Sequence, residues 1–158
     1  MIADAIAADL PELATLMAAS ELLQRYRVTL TSALQSLNDA VDGGDLLLVH
    51  RDQKVGGFAW LTFAPRMLNH AAYLRLLLVA EGFRGTGIGG KLLNHAEACA
   101  RERANDLYLL VTTDNTNARR FYERNGYRYV GELPGLVWPD LDEALYHKPL
   151  RRVNDAGD

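Results

Sequence analysis

The order of apolar periodicities along this chain predicts an α/β fold, a sheet of six to seven strands with helices on both faces. Three observations carry that prediction. Two helical patterns open the chain, and strands interleaved with two further helices follow. The run Tyr73-Leu74-Arg75-Leu76-Leu77-Leu78-Val79 is nearly continuous apolar sequence, as expected of a strand covered on both faces. A glycine-rich turn and a long amphipathic helix follow that run directly. With 158 residues, 49% of them apolar and 23% charged, the chain suits a single domain with its own core. That domain is expected over residues 1–150, with residues 151–158 as a frayed tail.

Each element has a local reason. Asp9-Leu10-Pro11-Glu12 reads as a helix entry, with an acidic cap, Glu three residues on and Pro in the first turn. Leu13, Leu16 and Met17 supply the buried stripe of that helix. A second helix is expected from Leu30 to Val41, its apolar face being Leu30, Leu34, Leu37 and Val41, with Gly43-Gly44 beyond its end. Asp45–His50 and Val55–Phe63 read as a hairpin joined by Arg51-Asp52-Gln53-Lys54. Pro65 to His70 is a loop, and Tyr73 to Val79 the strand already noted. The long helix is expected from Gly87 to Ala104, with Ile88, Leu92, Ala96, Cys99 and Ala100 inward and Lys91, Asn94, Arg101 and Glu102 outward. Leu107–Thr112 is a buried strand. Thr116–Asn125 is a short helix closed by Gly126, a residue suited to a left-handed C-terminal cap. Strands near Tyr127–Glu132 and Glu143–Lys148 complete the domain.

Composition narrows the function classes. A net charge of -3 gives no broad electrostatic drive toward nucleic acid. The single cysteine forms no intramolecular disulfide, and no Cys/His group has metal-ligand spacing, so no metal is expected and a reducing, cytoplasmic setting fits. The start Met1-Ile2-Ala3-Asp4 lacks the features of a signal peptide, and no apolar run approaches the roughly 18 residues of a membrane span. Neither a nucleic acid nor a membrane is expected as a partner.

The chemistry concentrates in Arg84-Gly85-Thr86-Gly87-Ile88-Gly89-Gly90-Lys91, between a buried strand and a helix. Glycines there let successive backbone N–H groups converge, and the helix N-terminus adds partial positive charge, which suits a phosphate or pyrophosphate. Three patterns overlap on this turn. Gly85 to Gly90 satisfies the dinucleotide pattern G-x-G-x-x-G, with Asp114 as a stand-in ribose acid, but too little chain follows for the remaining strand–helix units. Gly85 to Lys91 satisfies G-x-x-x-x-G-K, but Leu92 stands where a magnesium-binding hydroxyl is required. Arg84, Gly87 and Gly89 satisfy R-x-x-G-x-G.

With that third pattern the chain resembles the GCN5-related N-acetyltransferase superfamily. The resemblance extends through Leu77-Leu78-Val79-Ala80-Glu81-Gly82-Phe83-Arg84-Gly85 and through Asn115-Thr116-Asn117-Ala118-Arg119-Arg120-Phe121-Tyr122-Glu123-Arg124-Asn125-Gly126-Tyr127, which is similar to the family helix N-x-x-A-x-x-x-Y-E-x-x-G-[FY]. It implies a mixed, largely antiparallel sheet splayed between strands 4 and 5, where the pantetheine arm of acetyl-CoA lies. It implies that Arg84, Gly85, Thr86, Gly87, Ile88 and Gly89 hold the pyrophosphate, and that the main chain of Leu77 and Val79 bonds the pantetheine. Asn115 would bond the same region and Tyr122 would protonate the departing thiolate. The implied reaction is direct transfer of an acetyl group from acetyl-CoA, as cosubstrate, to a small-molecule amine or a peptide amino group, without a metal. A homodimer is compatible with it.

Simpler readings stand beside these. Tyr122 also fits a core position next to Ala118 and Phe121, and Asn115 fits a helix N-cap. Cys99 reads as core, His95 as structural, and Lys91 as a solvated residue near the phosphate turn. His50, His70 and His147 have no metal-like spacing. Where the family often places a carboxylate base on the fourth strand this chain has Arg75, which reads either as a snorkelling side chain or as a contact to an acidic group on the acceptor. Glu81, His70 or a water relay are the candidate bases. Tyr26, Arg25 and Arg27, between the first two helices, lie where the family contacts its acceptor, and equally fit an ordinary polar loop. Two rival readings remain: a non-catalytic acyl-CoA-binding sensor, and a nucleotide switch on the glycine-rich turn.

Overall fold

The computed structural model describes residues 1–150, so the tail expected to fray lies outside the described residues. In chain order the elements are β1 (Ile2–Asp4), α1 (Leu10–Ala19), α2 (Glu21–Arg25), α3 (Leu30–Asp42), β2 (Leu46–Arg51), β3 (Val55–Ala64), β4 (Ala71–Val79), α4 (Ile88–Arg101), β5 (Asp106–Thr112), α5 (Thr116–Arg124), β6 (Arg128–Trp138) and β7 (Leu141–Pro149). The strands form one seven-stranded sheet in the order β1-β2-β3-β4-β5-β7-β6. β4 and β5 run parallel, with Ala71 opposite Asp106 through Leu74 opposite Leu109. The β1–β2, β2–β3, β5–β7 and β6–β7 ladders are antiparallel. This is the mixed, largely antiparallel α/β sheet that the sequence predicts.

The chain divides into two compact units, Met1–Thr62 with Arg75–Ala98, and Phe63–Leu74 with the described residues from Cys99 onward. In the first unit, Leu10, Leu13, Ala14 and Met17 of α1 and Ala33, Leu37 and Ala40 of α3 pack with Leu47, Val49, Phe58 and Trp60 of β2 and β3. Successive strand residues face opposite ways. Gly57 therefore faces away from that cluster, and the Cδ1 of Leu92 in α4 lies 3.3 Å from where its Cβ would be. Helices thus cover both faces of the sheet in this unit. In the second unit, alternate residues Leu107, Leu109 and Val111 of β5 are buried, with Tyr146 of β7 and Tyr122 and Tyr127 at the two ends of the α5 C-terminal turn.

Several expectations are corrected. Asp9 makes no side-chain cap for α1. Its carboxylate instead accepts from the Ile6 N–H at 2.9 Å and pairs with Arg51. β1 and the five-residue helix α2 were too short to register as periods; Ser20 caps α2 by accepting from the Leu23 N–H at 3.4 Å. In α3, Leu30 and Val41 are 54% and 47% exposed, and the inward face is Ala33, Leu37 and Ala40. Small alanines let α1 and α3 approach closely, so the buried stripe follows them and not the outlying large residues. The run over β4 is not covered on both faces along its length, because Arg75 is exposed and Leu76 to Val79 are half-buried. Cys99 is likewise half-buried, not core, and His95 is exposed.

Candidate functional site

In the first unit, the end of β4 feeds the glycine-rich turn. The Ala80 N–H donates to the Gly56 carbonyl at 2.9 Å, which ties the strand end to β3. A single 3-10 turn over Glu81–Phe83 follows, closed by the Arg84 N–H donating to the Glu81 carbonyl at 3.2 Å. Gly85 and Gly87 then have φ of +74° and +84°, the left-handed region that disfavours any residue with a Cβ. Thr86, between them, donates its hydroxyl to the Phe83 carbonyl. Alternating hand of this kind turns consecutive N–H groups into one concavity. The Lys91 N–H donates to the Gly87 carbonyl at 3.1 Å, so the N–H groups of Ile88, Gly89 and Gly90 precede the helical ladder of α4. No atom lies within 4 Å of where a Cβ would stand at Gly85, Gly87 or Gly90, and Arg84 and Lys91 are exposed. An open concavity of N–H donors, a helix N-terminus and an exposed guanidinium are the elements of an anion site.

Leu77 and Val79 lie half-buried on β4, just before that turn. Gly57 of β3, a position that sequence reasoning passed over, explains how this segment is held. A Cβ there would stand 2.5 Å from the Leu78 carbonyl oxygen and 3.1 Å from the Val79 Cα. The pair Gly56-Gly57 inside a strand was the available signal, since glycine in a strand interior marks a close backbone approach.

In the second unit, α5 carries both remaining motif residues. Asn115 is its N-cap, its Oδ1 accepting from the Ala118 N–H at 3.2 Å, while its own N–H donates to the Thr112 carbonyl at 2.9 Å. Gly126, at φ +88°, closes the helix as expected; the Tyr127 N–H donates back to the Tyr122 carbonyl at 3.1 Å. That reversal sets Tyr127 edge-on to Tyr122, ring centroids 5.6 Å apart, and the Phe121 ring is 5.2 Å from Tyr122. Tyr122 is 9% exposed, and among the described residues no hydrogen bond engages its hydroxyl. Burial first, and the neighbouring Tyr73 phenol second, push its pKa well above the usual tyrosine value. The core packing and the free hydroxyl coexist on one side chain.

The other candidates fall as follows. Tyr26 is half-buried at the C-cap of α2, and Arg27 beside it has φ of +61°. Arg75 is exposed with its guanidinium over the Trp60 ring, 4.6 Å from the centroid. Glu81 and His70 are both exposed, in the first and second unit respectively. His147 pairs with Asp106, Nε2 to Oδ1 2.7 Å, and stacks on Tyr108 at 4.7 Å. The structure thus gathers Leu77, Val79 and Arg84–Gly89 in one unit and Asn115 with Tyr122 in the other.

A family model described as the acetyltransferase (GNAT) family matches residues 14–127. The chain belongs to that family. The streptothricin acetyltransferase of Streptomyces lavendulae is 36% identical over 106 residues, 66% of this chain and 50% of the relative. The blasticidin-S acetyltransferase of Streptomyces morookaense is 40% identical over 78 residues, 49% of this chain and 57% of the relative. The chain therefore spans about half the length of the curated relatives it matches. Among solved structures, an aminoglycoside 6'-N-acetyltransferase complexed with coenzyme A shares the GNAT fold, with a TM-score of 0.78 at 18% identity over 96% of this chain and 98% of the other.

Proposed function

We propose that this chain transfers the acetyl group of acetyl-CoA to an amine by direct attack in a ternary complex. The observation that carries the reading is the turn, where left-handed Gly85 and Gly87 open the first N–H groups of α4 beside Arg84, in a chain of this family. In this reading the N–H groups from Gly85 to Gly89 hold the pyrophosphate, and Arg84 adds a charge-assisted bond. The main chain of Leu77 and Val79 bonds the pantetheine arm as an added strand would, and an N–H near Leu77 faces the thioester oxygen. Asn115 uses its Oδ1 as a cap, which leaves its NH₂ for the same arm.

As the amine nitrogen attacks, the C–N bond forms, the C–S bond breaks, the amine loses a proton and the thiolate takes one up. Tyr122, kept neutral by its burial, donates to the sulfur. Relatives named for streptothricin and blasticidin-S support a small-molecule amine as acceptor. In this reading Tyr26 contacts it. A reaction that draws on acetyl-CoA fits the cytoplasmic setting expected from the sequence.

The test is a melting curve with and without acetyl-CoA. At a ligand concentration of about 100 Kd the stabilisation is about 2.7 kcal/mol, which for a chain of this size raises Tm by roughly 5–11 °C. Gly87→Val sets a branched side chain at a left-handed position, so it should lower Tm modestly and cancel the acetyl-CoA shift. A larger shift with NAD or ATP would overturn the assignment. A shift without CoA release across an amine panel would favour the non-catalytic sensor.

A further inference from the structure

We propose that Arg75 recognises a carboxylate on the acceptor, so that the preferred amine is one that carries an acid group. This inference rests on the acetyl-transfer reading above and names its substrate class. Arg75 is held, not merely exposed. Its guanidinium lies over the indole of Trp60, 4.6 Å from the ring centroid. That indole is 3% exposed and anchored, for Trp60 Nε1 donates to Asp45 Oδ2 at 2.7 Å. Thr62 Oγ1 donates to the same oxygen at 3.0 Å. The platform and its anchor lie within one compact unit.

Two consequences follow from this arrangement. Attraction to a ring face engages the guanidinium charge and leaves its N–H donors, five in all, without a hydrogen bond. Among the described residues no carboxylate pairs with Arg75, and the nearby Asp45 is occupied by Trp60 and Thr62. A donor fork without an acceptor is therefore presented to solvent. Asp45 also draws on the Nε1–H and so enriches the indole face, which strengthens the hold on a cation. An arginine restrained on such a platform loses less rotamer freedom when it binds an anion, which is preorganisation.

Position gives the anion a partner in the reaction. Arg75 precedes Leu77 by two residues on β4, a rise of about 6.6 Å along a strand. One small molecule can reach both the Arg75 fork and the carbonyl that the Leu77 main chain is read as facing. A single planar guanidinium with two parallel N–H groups matches a planar monoanion, whereas a phosphate dianion would leave charge unmet there.

Two measurements test this. Trp60 and Trp138 are the two tryptophans, so Trp138→Phe leaves Trp60 as the reporter of what binds at Arg75. At constant ionic strength, propionate should change Trp60 emission saturably, and Arg75→Gln should abolish the change; the Arg75→Gln difference in the native background gives the same reading. A melting curve confirms that Arg75→Gln folds, and Arg75→Lys, which keeps the charge but not the fork, should respond weakly. No response to propionate, a response that survives Arg75→Gln, or saturation by inorganic phosphate but not propionate would each overturn the proposal.

In turnover, L-lysine and cadaverine differ only by a carboxylate. The ratio of their kcat/KM values should be ten- to hundredfold in favour of lysine, the usual worth of a charge-assisted bond. Arg75→Gln should bring that ratio toward one, raising the KM for lysine far more than that for acetyl-CoA. Equal rises in both KM values would make Arg75 structural and sink the proposal. Intact propionate binding with no turnover of any amine would overturn the acetyl-transfer reading, and the acceptor role with it.

Discussion

Tyr122→Phe removes one oxygen from a side chain that serves both the core and, in our reading, the chemistry. The ring contacts, at 5.2 Å to Phe121 within α5 and 5.6 Å to Tyr127 beyond its end, survive in phenylalanine. The hydroxyl has no hydrogen-bond partner among the described residues, so its removal strands no buried acceptor. Stability should change by less than about 1 kcal/mol, or Tm by less than about 4 °C. Activity should respond differently. The phenol is pushed above its usual value of about 10 while a thiol sits near about 8.5, so complete proton transfer to the thiolate is uphill by at least about 2 kcal/mol. The favourable interaction is a hydrogen bond to the developing thiolate, and its loss should reduce kcat by about 10²-fold, the low end for a positioned acid. The KM for acetyl-CoA should barely move, because the interaction belongs to the transition state. The assay is CoA release at saturating acetyl-CoA with an accepted amine, beside a melting curve. Turnover within threefold of the parent in a folded variant would refute the role and leave Tyr122 as core.

Other outcomes follow from the same geometry. Gly57→Ala puts a Cβ 2.5 Å from the Leu78 carbonyl oxygen, and a backbone atom cannot step aside, so stability should fall by about 1–3 kcal/mol and the acetyl-CoA shift should shrink. A fall under about 0.5 kcal/mol by urea titration would contradict the packing. Gly90→Ala meets nothing within 4 Å and lies inside α4, so it should raise stability by about 0.5–1 kcal/mol; a lowered Tm would show that the position is not ordinary helix. At high pH the sign runs the other way for Tyr122. Its folded pKa is raised above the unfolded value near 10, so the stability from the neutral phenol is complete below about pH 10 and is lost as pH rises toward the folded pKa. The loss approaches about 1.4 kcal/mol per pH unit. Urea midpoints from pH 9 to 11.5 should therefore fall less steeply in Tyr122→Phe, and parallel slopes would count against a phenol held neutral by its surroundings.

The elements that could be read from the sequence are those whose cause is local. Gly126 ends α5 at positive φ because the backbone there demands it, and its neighbours on the chain announce it. The glycines of the Arg84–Gly89 turn are of the same kind, so the turn is legible in the sequence alone. α2 escaped because five residues hold little more than one turn, too few for a period, and its cap Ser20 follows a helix with no break in composition. The stripe of α3 is not legible in the sequence, because hydrophobicity ranks Leu30 and Val41 above Ala33 and Ala40. The contact with α1 ranks them by size instead, and the smaller side chains win.

What stayed hidden in the candidate site is non-local in the same sense. Arg75 taken alone is a charged residue in an apolar strand, and either snorkelling or recognition would place it there. Its stacking on Trp60 is decided by β3, and the fixing of Trp60 by Asp45 is decided by the residue before β2. Gly57 carries no chemistry, yet it governs how closely β3 can approach the main chain at Leu78 and Val79. If the coenzyme arm is bonded by that main chain, its affinity depends on a glycine one strand away that never touches it. A motif search restricted to residues that contact the ligand would pass over this position. A search for glycines inside strands next to that segment would find it, because a Cβ there presses on the main chain at Leu78 and Val79.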